Sequence, residues 1–478
     1  MIIRKINLWK PALLSVVFLS FLAYISIRAY KLSFTHDESL SYTIVEGDKA
    51  WVGTANHHPL NTLSMFISSA LFGNNEFALR LPNVLSFLLY FVGCFYLFSA
   101  SRNEWGFILG ISLALLNPYL MEFFSIARGY GLSQGFIMVS LFFLIRNGYT
   151  YTSFSALIKD FLLSVIFASF AVFSNFSMVN LLICIVLIFV IKLYVFRKEQ
   201  GTKPRYRLFL YVFILAFSSA YFGIERLILL KKSGQLYHGE ATLIDSINSL
   251  IQASIYFVES PSNLVLTSIT LLILFAFTVG LFLMIAKKGY YTSFSVIITM
   301  AIMLIGGLVL ENILFGAKYP SQRTALLYMP VINIFLYQFF LFLKEHYRLS
   351  KTLYIPAILM VVVLLLANFF VGVNMTHSKE WHYDAHTKEV MEIIQEKTKN
   401  SNIKLSVSND WHFEPTMNYY IKRWKLNLNP ASRNGISLDD DFIYRLNDKT
   451  KLDGFETLRY YPDTKSELLV KNQKMNNK

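Results

Sequence analysis

Runs of apolar residues recur along the chain as far as Val373, each long enough to cross roughly 30 Å of hydrocarbon at about 1.5 Å per residue. Their spacing predicts eleven membrane-spanning helices, at about 11–30, 81–99, 106–122, 131–145, 157–174, 178–196, 208–225, 263–286, 291–310, 324–343 and 353–373. The stretch Leu60–Leu71 is apolar but too short to span, so it reads as a helix lying at the membrane interface. After residue 373 the pattern changes. Val390, Met391, Ile393 and Ile394 fall at helical spacing within Asp384–Lys397, and Ile403–Val407 alternates as a strand does. The expected architecture is an α-helical polytopic membrane protein, residues 1–373, followed by a small α/β domain, residues 374–478.

Composition supports that pattern: 55% of the residues are hydrophobic and 15% charged, too few charges to cover a soluble domain of this size. A net charge of +14 raises the question of a nucleic-acid partner, but the basic residues form no single patch. They punctuate the ends of the apolar runs. With the amino terminus inside, the inner loops carry Arg102, Arg146, Lys159, Arg197, Lys198, Lys203, Arg205, Arg207, Lys287, Lys288, Lys344, Arg348 and Lys351. Against these stand the acids Glu104, Asp160, Glu199 and Glu345. That bias places the amino terminus in the cytoplasm and residues 31–80 and 374–478 outside, in a multi-pass protein of the inner or plasma membrane. The first run ends in Arg28-Ala-Tyr-Lys31 without a small-residue cleavage site, so it reads as a retained span. Cys94 and Cys184 both sit inside apolar runs and read as packing residues.

The polar residues of the outer segments carry the candidate chemistry. His36-Asp37-Glu38 follows the first span directly, and paired carboxylates at a membrane face call for an ion partner, a metal or an acid–base task. His57 and His58 precede Pro59, and with Glu38 they would supply nitrogen and oxygen ligands to a divalent cation. No ligand spacing here is diagnostic, so the cation stays open beside the plainer reading of interfacial histidines. Arg80, Arg128, Lys318 and Arg323 form a cationic set at the same boundary, suited either to a phosphate or to snorkelling towards headgroups. An acid with several cations on one face suggests a base that deprotonates a nucleophile and cations that stabilise a leaving phosphate. P-loop, kinase and Gly-x-Ser-x-Gly signatures are absent from the sequence.

His36-Asp37-Glu38 behind the first span resembles the acidic motif of the GT-C glycosyltransferases, in the branch of protein O-mannosyltransferases and the aminoarabinose transferases of lipid A. His58-Pro-Leu60, Leu71-Phe-Gly73 and Glu76-Phe-Ala-Leu-Arg-Leu-Pro82 resemble that family's first-loop signature. Asn117-Pro-Tyr119 with Ala127-Arg-Gly-Tyr130, and Tyr319-Pro with Arg323 and Pro330, resemble later segments. Many aminoarabinose transferases have Lys-Pro-Pro where this chain has His58-Pro-Leu60, and the tail from 374 does not match the sugar-binding repeats of eukaryotic mannosyltransferases. The resemblance implies inverting transfer of a sugar from a polyprenyl-phosphate donor to a lipid, glycan or protein acceptor on the extracytoplasmic face. It implies Asp37 as general base, Glu38 as its orienting partner or a cation ligand, and Arg128 with Arg323 on the lipid phosphate. Arg80 and Lys318 are counted with that phosphate set, and His36, His58, Tyr130 and Tyr319 are taken as substrate contacts. The rival reading is a transporter or flippase of anionic lipid-linked glycans, which calls for charges near the bilayer midplane and broken helices.

Overall fold

The structure is a computed structural model that describes residues 9–48, 57–99, 103–200, 206–234, 239–258, 260–399, 403–446 and 450–472. Arg102, Lys203 and Arg205 of the expected basic loops lie outside the described residues. Nine helices among the described residues are long and apolar enough to cross a membrane, and each falls on an expected run. The other two expected spans are corrected. The run at 106–122 is two helices, Glu104–Leu115 and Pro118–Ser125, bent by 58°. Asn117 is extended there and its side chain accepts from the Leu120 N–H, capping a new helix that Pro118 opens. The run at 131–145 is Gly129–Ile145, a shorter helix of 17 residues buried along most of its length. Among the described residues, nine of the eleven expected spans are thus long and apolar enough by themselves, ten if the bent pair counts as one, and Gly129–Ile145 is a shorter apolar helix beside them.

Small residues set how closely the inner helices approach. Gly135 of Gly129–Ile145 faces helix Glu76–Ser99, where an added Cβ would meet the Ser86 carbonyl oxygen at 2.6 Å. The outer helices turn the opposite face: Leu264, Leu271, Leu272, Phe275 and Phe282 of Asn263–Ala286 are exposed. The short helix Pro59–Phe72 shows the same inversion. Its Asn61, Thr62 and Ser68 point inward, while Leu63, Phe66, Ile67 and Leu71 point out at helical spacing. That outward apolar stripe is what an interfacial helix presents to lipid.

The chain end folds into helices Thr387–Thr398 and Glu414–Trp424 and a four-stranded sheet. The strands are β1 (Val407–Asn409), β2 (Phe442–Leu446), β3 (Phe455–Tyr461) and β4 (Ser466–Lys471), in the order β1-β2-β4-β3. β1 pairs parallel with β2, and β4 runs antiparallel to both of its neighbours. The strand expected at 403–407 begins only at Val407, with Leu405 making an isolated bridge to Leu428. This α/β unit is not a tethered appendage. Phe34, Tyr42, Val45, Met65 and Leu79 from residues 31–80 share one apolar core with Val390, Met391, Phe413, Met417 and Tyr420. Phe34 stacks on Tyr419 with ring centroids 4.1 Å apart. The segment carrying His36-Asp37-Glu38 is thereby clamped between the helix bundle and the α/β unit.

Candidate functional site

Residues 35–38 read Thr-His-Asp-Glu, and the chain turns into helix His36–Val45 at that point. Thr-x-x-Glu is the pattern of a helix-opening capping box, and Glu38 Oε2 accepts from the Thr35 N–H at 2.9 Å. The two carboxylates that are adjacent in sequence then point to different partners, because successive side chains on a helix diverge by about 100°.

Glu38 faces inward to Arg80. Its Oε1 accepts from Arg80 Nε at 2.8 Å and the Ala127 N–H at 2.5 Å, and its Oε2 from Arg80 Nη2 at 2.7 Å. With Thr35 that makes four donors, filling the lone-pair positions of a carboxylate. Arg80 spends its remaining N–H groups on the carbonyls of Ala29, Leu32 and Ser33, at the end of the first span. Both side chains are fully buried. All five guanidinium donors and all four carboxylate positions are thus consumed, two of each on the other side chain and the rest on backbone groups. The pair welds the first span, the acidic segment and helix Glu76–Ser99 together, and leaves Arg80 no N–H for a phosphate and Glu38 no lone pair for a metal.

Asp37 faces the other way. Its Oδ2 lies 3.4 Å from Arg128 Nη2 and 3.4 Å from Arg323 Nη2. Arg128 Nη1 also reaches the Asp37 carbonyl and the Ser41 hydroxyl, each at 3.3 Å. Arg128 is placed by the backbone before helix Gly129–Ile145. Asn61 donates to the Ala127 carbonyl at 2.9 Å, and Asn83 donates to Asn61 at 2.8 Å. Gly129 admits the close approach of the neighbouring chain: a Cβ there would fall 1.8 Å from the Ser174 carbonyl and 2.9 Å from the His58 Cβ. Arg323 comes from the turn before the span Thr324–Tyr347 and is the more open of the two arginines, its side chain 29% exposed against 1% for Arg128.

The histidines frame this centre. His36 is fixed from both sides, its N–H donating to Asp384 Oδ2 at 2.7 Å and its Nδ1 lying 2.7 Å from the His412 carbonyl. His58 packs edge-on against Tyr130, centroids 5.2 Å apart, and Tyr130 rests on Phe123. Burial lowers the pKa of His36 and of His58, and takes that of His57 down to about 4 with help from Arg226 and Arg128. Near neutral pH these imidazoles carry no charge, so the positive field at Asp37 is that of its arginines. Among the described residues no three His, Cys, Asp or Glu side chains are arranged to hold a metal, and Glu38, His57 and His58 form no such group. Lys318 is exposed and makes no ion pair among the described residues; Tyr319 pairs its backbone with Glu240 at 2.8 and 3.0 Å.

The sequence reading missed the segment after the last span. Glu380 Oε2 lies 3.3 Å from Arg323 Nη1, and Tyr119 donates to Glu380 Oε1. Trp381 lays its ring against Arg323, with Cζ 5.0 Å from the centroid. Buried Asp384, whose carboxyl is pushed well above the usual range by burial, ties the α/β unit to His36. Residues 378–384 carry no motif, and only the approach of the two chain regions brings them to Asp37.

No family model and no curated protein matches the sequence. Among solved structures, the crystal structure of ArnT from Cupriavidus metallidurans bound to undecaprenyl phosphate aligns with 97% of this chain and 98% of its own, at a TM-score of 0.56 and 10% identity. The apo state of that protein aligns with 95% of this chain and 97% of its own, at 0.53 and 10%. At this identity the likeness is one of fold, and it runs through both the helix bundle and the α/β unit. The chain shares the GT-C fold of ArnT.

Proposed function

We propose that this chain is a membrane glycosyltransferase that moves a sugar from a polyprenyl-phosphate carrier to an acceptor hydroxyl on the extracytoplasmic face. Residues 1–373 would hold the lipid-linked donor, and residues 374–478 would close the site from the aqueous side. The observation that carries the reading is Asp37: one carboxylate set between Arg128 and Arg323 at the end of a GT-C bundle. In the proposed step the acceptor oxygen attacks the anomeric carbon as the bond from that carbon to the phosphate oxygen breaks. The hydroxyl proton passes to Asp37, and the electron pair leaves with polyprenyl phosphate. Attack opposite the leaving group inverts the anomeric centre. Arg128 and Arg323 stabilise charge growing on the departing phosphate, with guanidinium forks suited to its oxygens. His36, His58 and Tyr130 line the approach to Asp37 as neutral contacts. Glu38 and Arg80 support the site through the backbone they hold.

The test is transfer by the purified protein in detergent, supplied with labelled polyprenyl-phosphate sugars and a membrane lipid extract, alongside Asp37→Asn. Transfer by the wild type alone supports the reading. Movement of a bound lipid-linked sugar across proteoliposomes, with no glycosidic bond formed from any donor, would favour a flippase instead.

A further inference from the structure

Arg323 stands between two carboxylates. Asp37 meets one terminal nitrogen at 3.4 Å and Glu380 meets the other at 3.3 Å. Glu380 belongs to the strap that joins the last span to the α/β unit, and the strap is pinned on either side of it. The Lys379 N–H donates to Glu122 Oε2 at 2.9 Å, and Lys379 Nζ reaches the carbonyls of Gln252, Ala253 and Ile255 at 2.8–3.2 Å. Arg28 holds the carbonyls of Asn374 and His377 at 2.6 and 2.9 Å. Trp381 is buried against Phe123 and Arg323. The main chain at Glu380 is therefore anchored, while its carboxylate makes one long contact to Arg323 and one hydrogen bond with Tyr119. Glu38, with its four donors at 2.5–2.9 Å, is closed by comparison.

Charge decides what this arrangement is for. Arg128 and Arg323 bring two positive charges, balanced by Asp37 and Glu380. A lipid phosphate arriving at Arg323 would add at least one negative charge beside both carboxylates, in a site with little water to screen it. Asp37 has to stay if it is the base. Glu380 is the other anion, and it sits on the more exposed side, 11% exposed against 7% for Asp37.

We propose that Glu380 is a built-in stand-in for the donor's phosphate: its carboxylate holds the outer edge of Arg323 and yields that edge, with the Tyr119 hydroxyl, when the lipid phosphate arrives. The inference rests on the donor reading of the preceding subsection. Exchange of one anion for another keeps the buried guanidinium compensated and oriented throughout, at the cost of weakening phosphate affinity. Weaker affinity for the product, polyprenyl phosphate, would favour its release.

The test is equilibrium binding of undecaprenyl phosphate to the purified full-length protein in nanodiscs, for wild type, Glu380→Gln, Arg323→Ala and the double variant. Glu380→Gln removes the competing charge and keeps the shape, so it should tighten binding by about tenfold, the scale of one charge-assisted contact. Arg323→Ala should weaken binding, and adding Glu380→Gln to it should change nothing further, because the competition is for that guanidinium. Glu380→Ala serves the same purpose if the glutamine variant does not elute as a folded species. Binding by the wild type that is unchanged or weakened in both Glu380 variants overturns the inference and leaves the donor reading standing. Absence of binding by the wild type and every variant overturns both.

Discussion

Asp37 and Glu38 are neighbours on one helix, and their surroundings differ in kind. Glu38 and Arg80 are saturated by each other and by the backbone around them, with contacts of 2.5–3.1 Å, no exposure and no donor left over. Asp37 is shared between two arginines at 3.4 Å each, and one of those arginines is shared again with Glu380. A saturated pair holds backbone in place and cannot bind anything else. A loosely and multiply shared pair can exchange partners, which is what a site for an arriving anion requires. Two adjacent acids thus divide into one whose carboxylate is saturated and one shared between two arginines, because the helix sends them to different neighbours; the proposed reaction uses the second.

Exchanging the chemistry of the two acids tests this division. Asp37→Asn is expected to lower transfer by on the order of 10³-fold, the scale of a lost general base, while the protein keeps its elution profile and melting temperature. Equal loss of activity and folding would show that Asp37 is structural as well. Arg80→Ala should act the opposite way, costing about 3 kcal/mol or more of stability by stranding Glu38 as a buried charge. Thermal denaturation in detergent measures it, and Arg80→Lys should not restore stability, since an ammonium offers three donors where five are used. Arg128→Lys should raise the apparent KM for the donor by about tenfold with stability nearly unchanged, reflecting one weakened charge-assisted contact. An unchanged KM would assign Arg128 to holding the Asp37 backbone alone.

The smallest expected effect concerns pH. His36, His57 and His58 are all held below the ordinary imidazole pKa by burial, His57 at about 4. In the unfolded chain they take up protons below about pH 6.5, whereas in the folded protein they do not. Their contribution is therefore fully present above that pH and lost as pH falls towards 4. Melting temperature should decline over this window, and His57→Gln should flatten the decline; an unaltered slope would mean that other groups dominate.

The membrane architecture was readable in the sequence because hydrocarbon imposes one requirement on every span: an unbroken apolar run of sufficient length. The two departures were local. Asn117-Pro118 is a helix-restart signal inside an apolar run, and Gly129–Ile145 falls short in length. Asp37 and its arginines could be named as candidates because charge beside a membrane is costly and has to be accounted for. The role of Glu38 was also written in the chain, as the Thr35-x-x-Glu38 capping pattern, but adjacency to Asp37 drew it into the chemistry. Nothing in the sequence sets Arg80 apart from Arg128: each is an arginine near the start of a helix at the membrane edge. What separates them is which partners lie within reach, Glu38 for one and Asp37 for the other, and those partners come from segments up to 91 positions apart. Glu380, Trp381 and Asp384 are more distant still, and they reach the site only because the α/β unit shares a core with residues 31–80. Local pattern determined where the chain crosses the membrane and which charges needed explaining. Long-range packing decided which partner each of those charges meets: Arg80 closes on Glu38, while Asp37 is shared between Arg128 and Arg323.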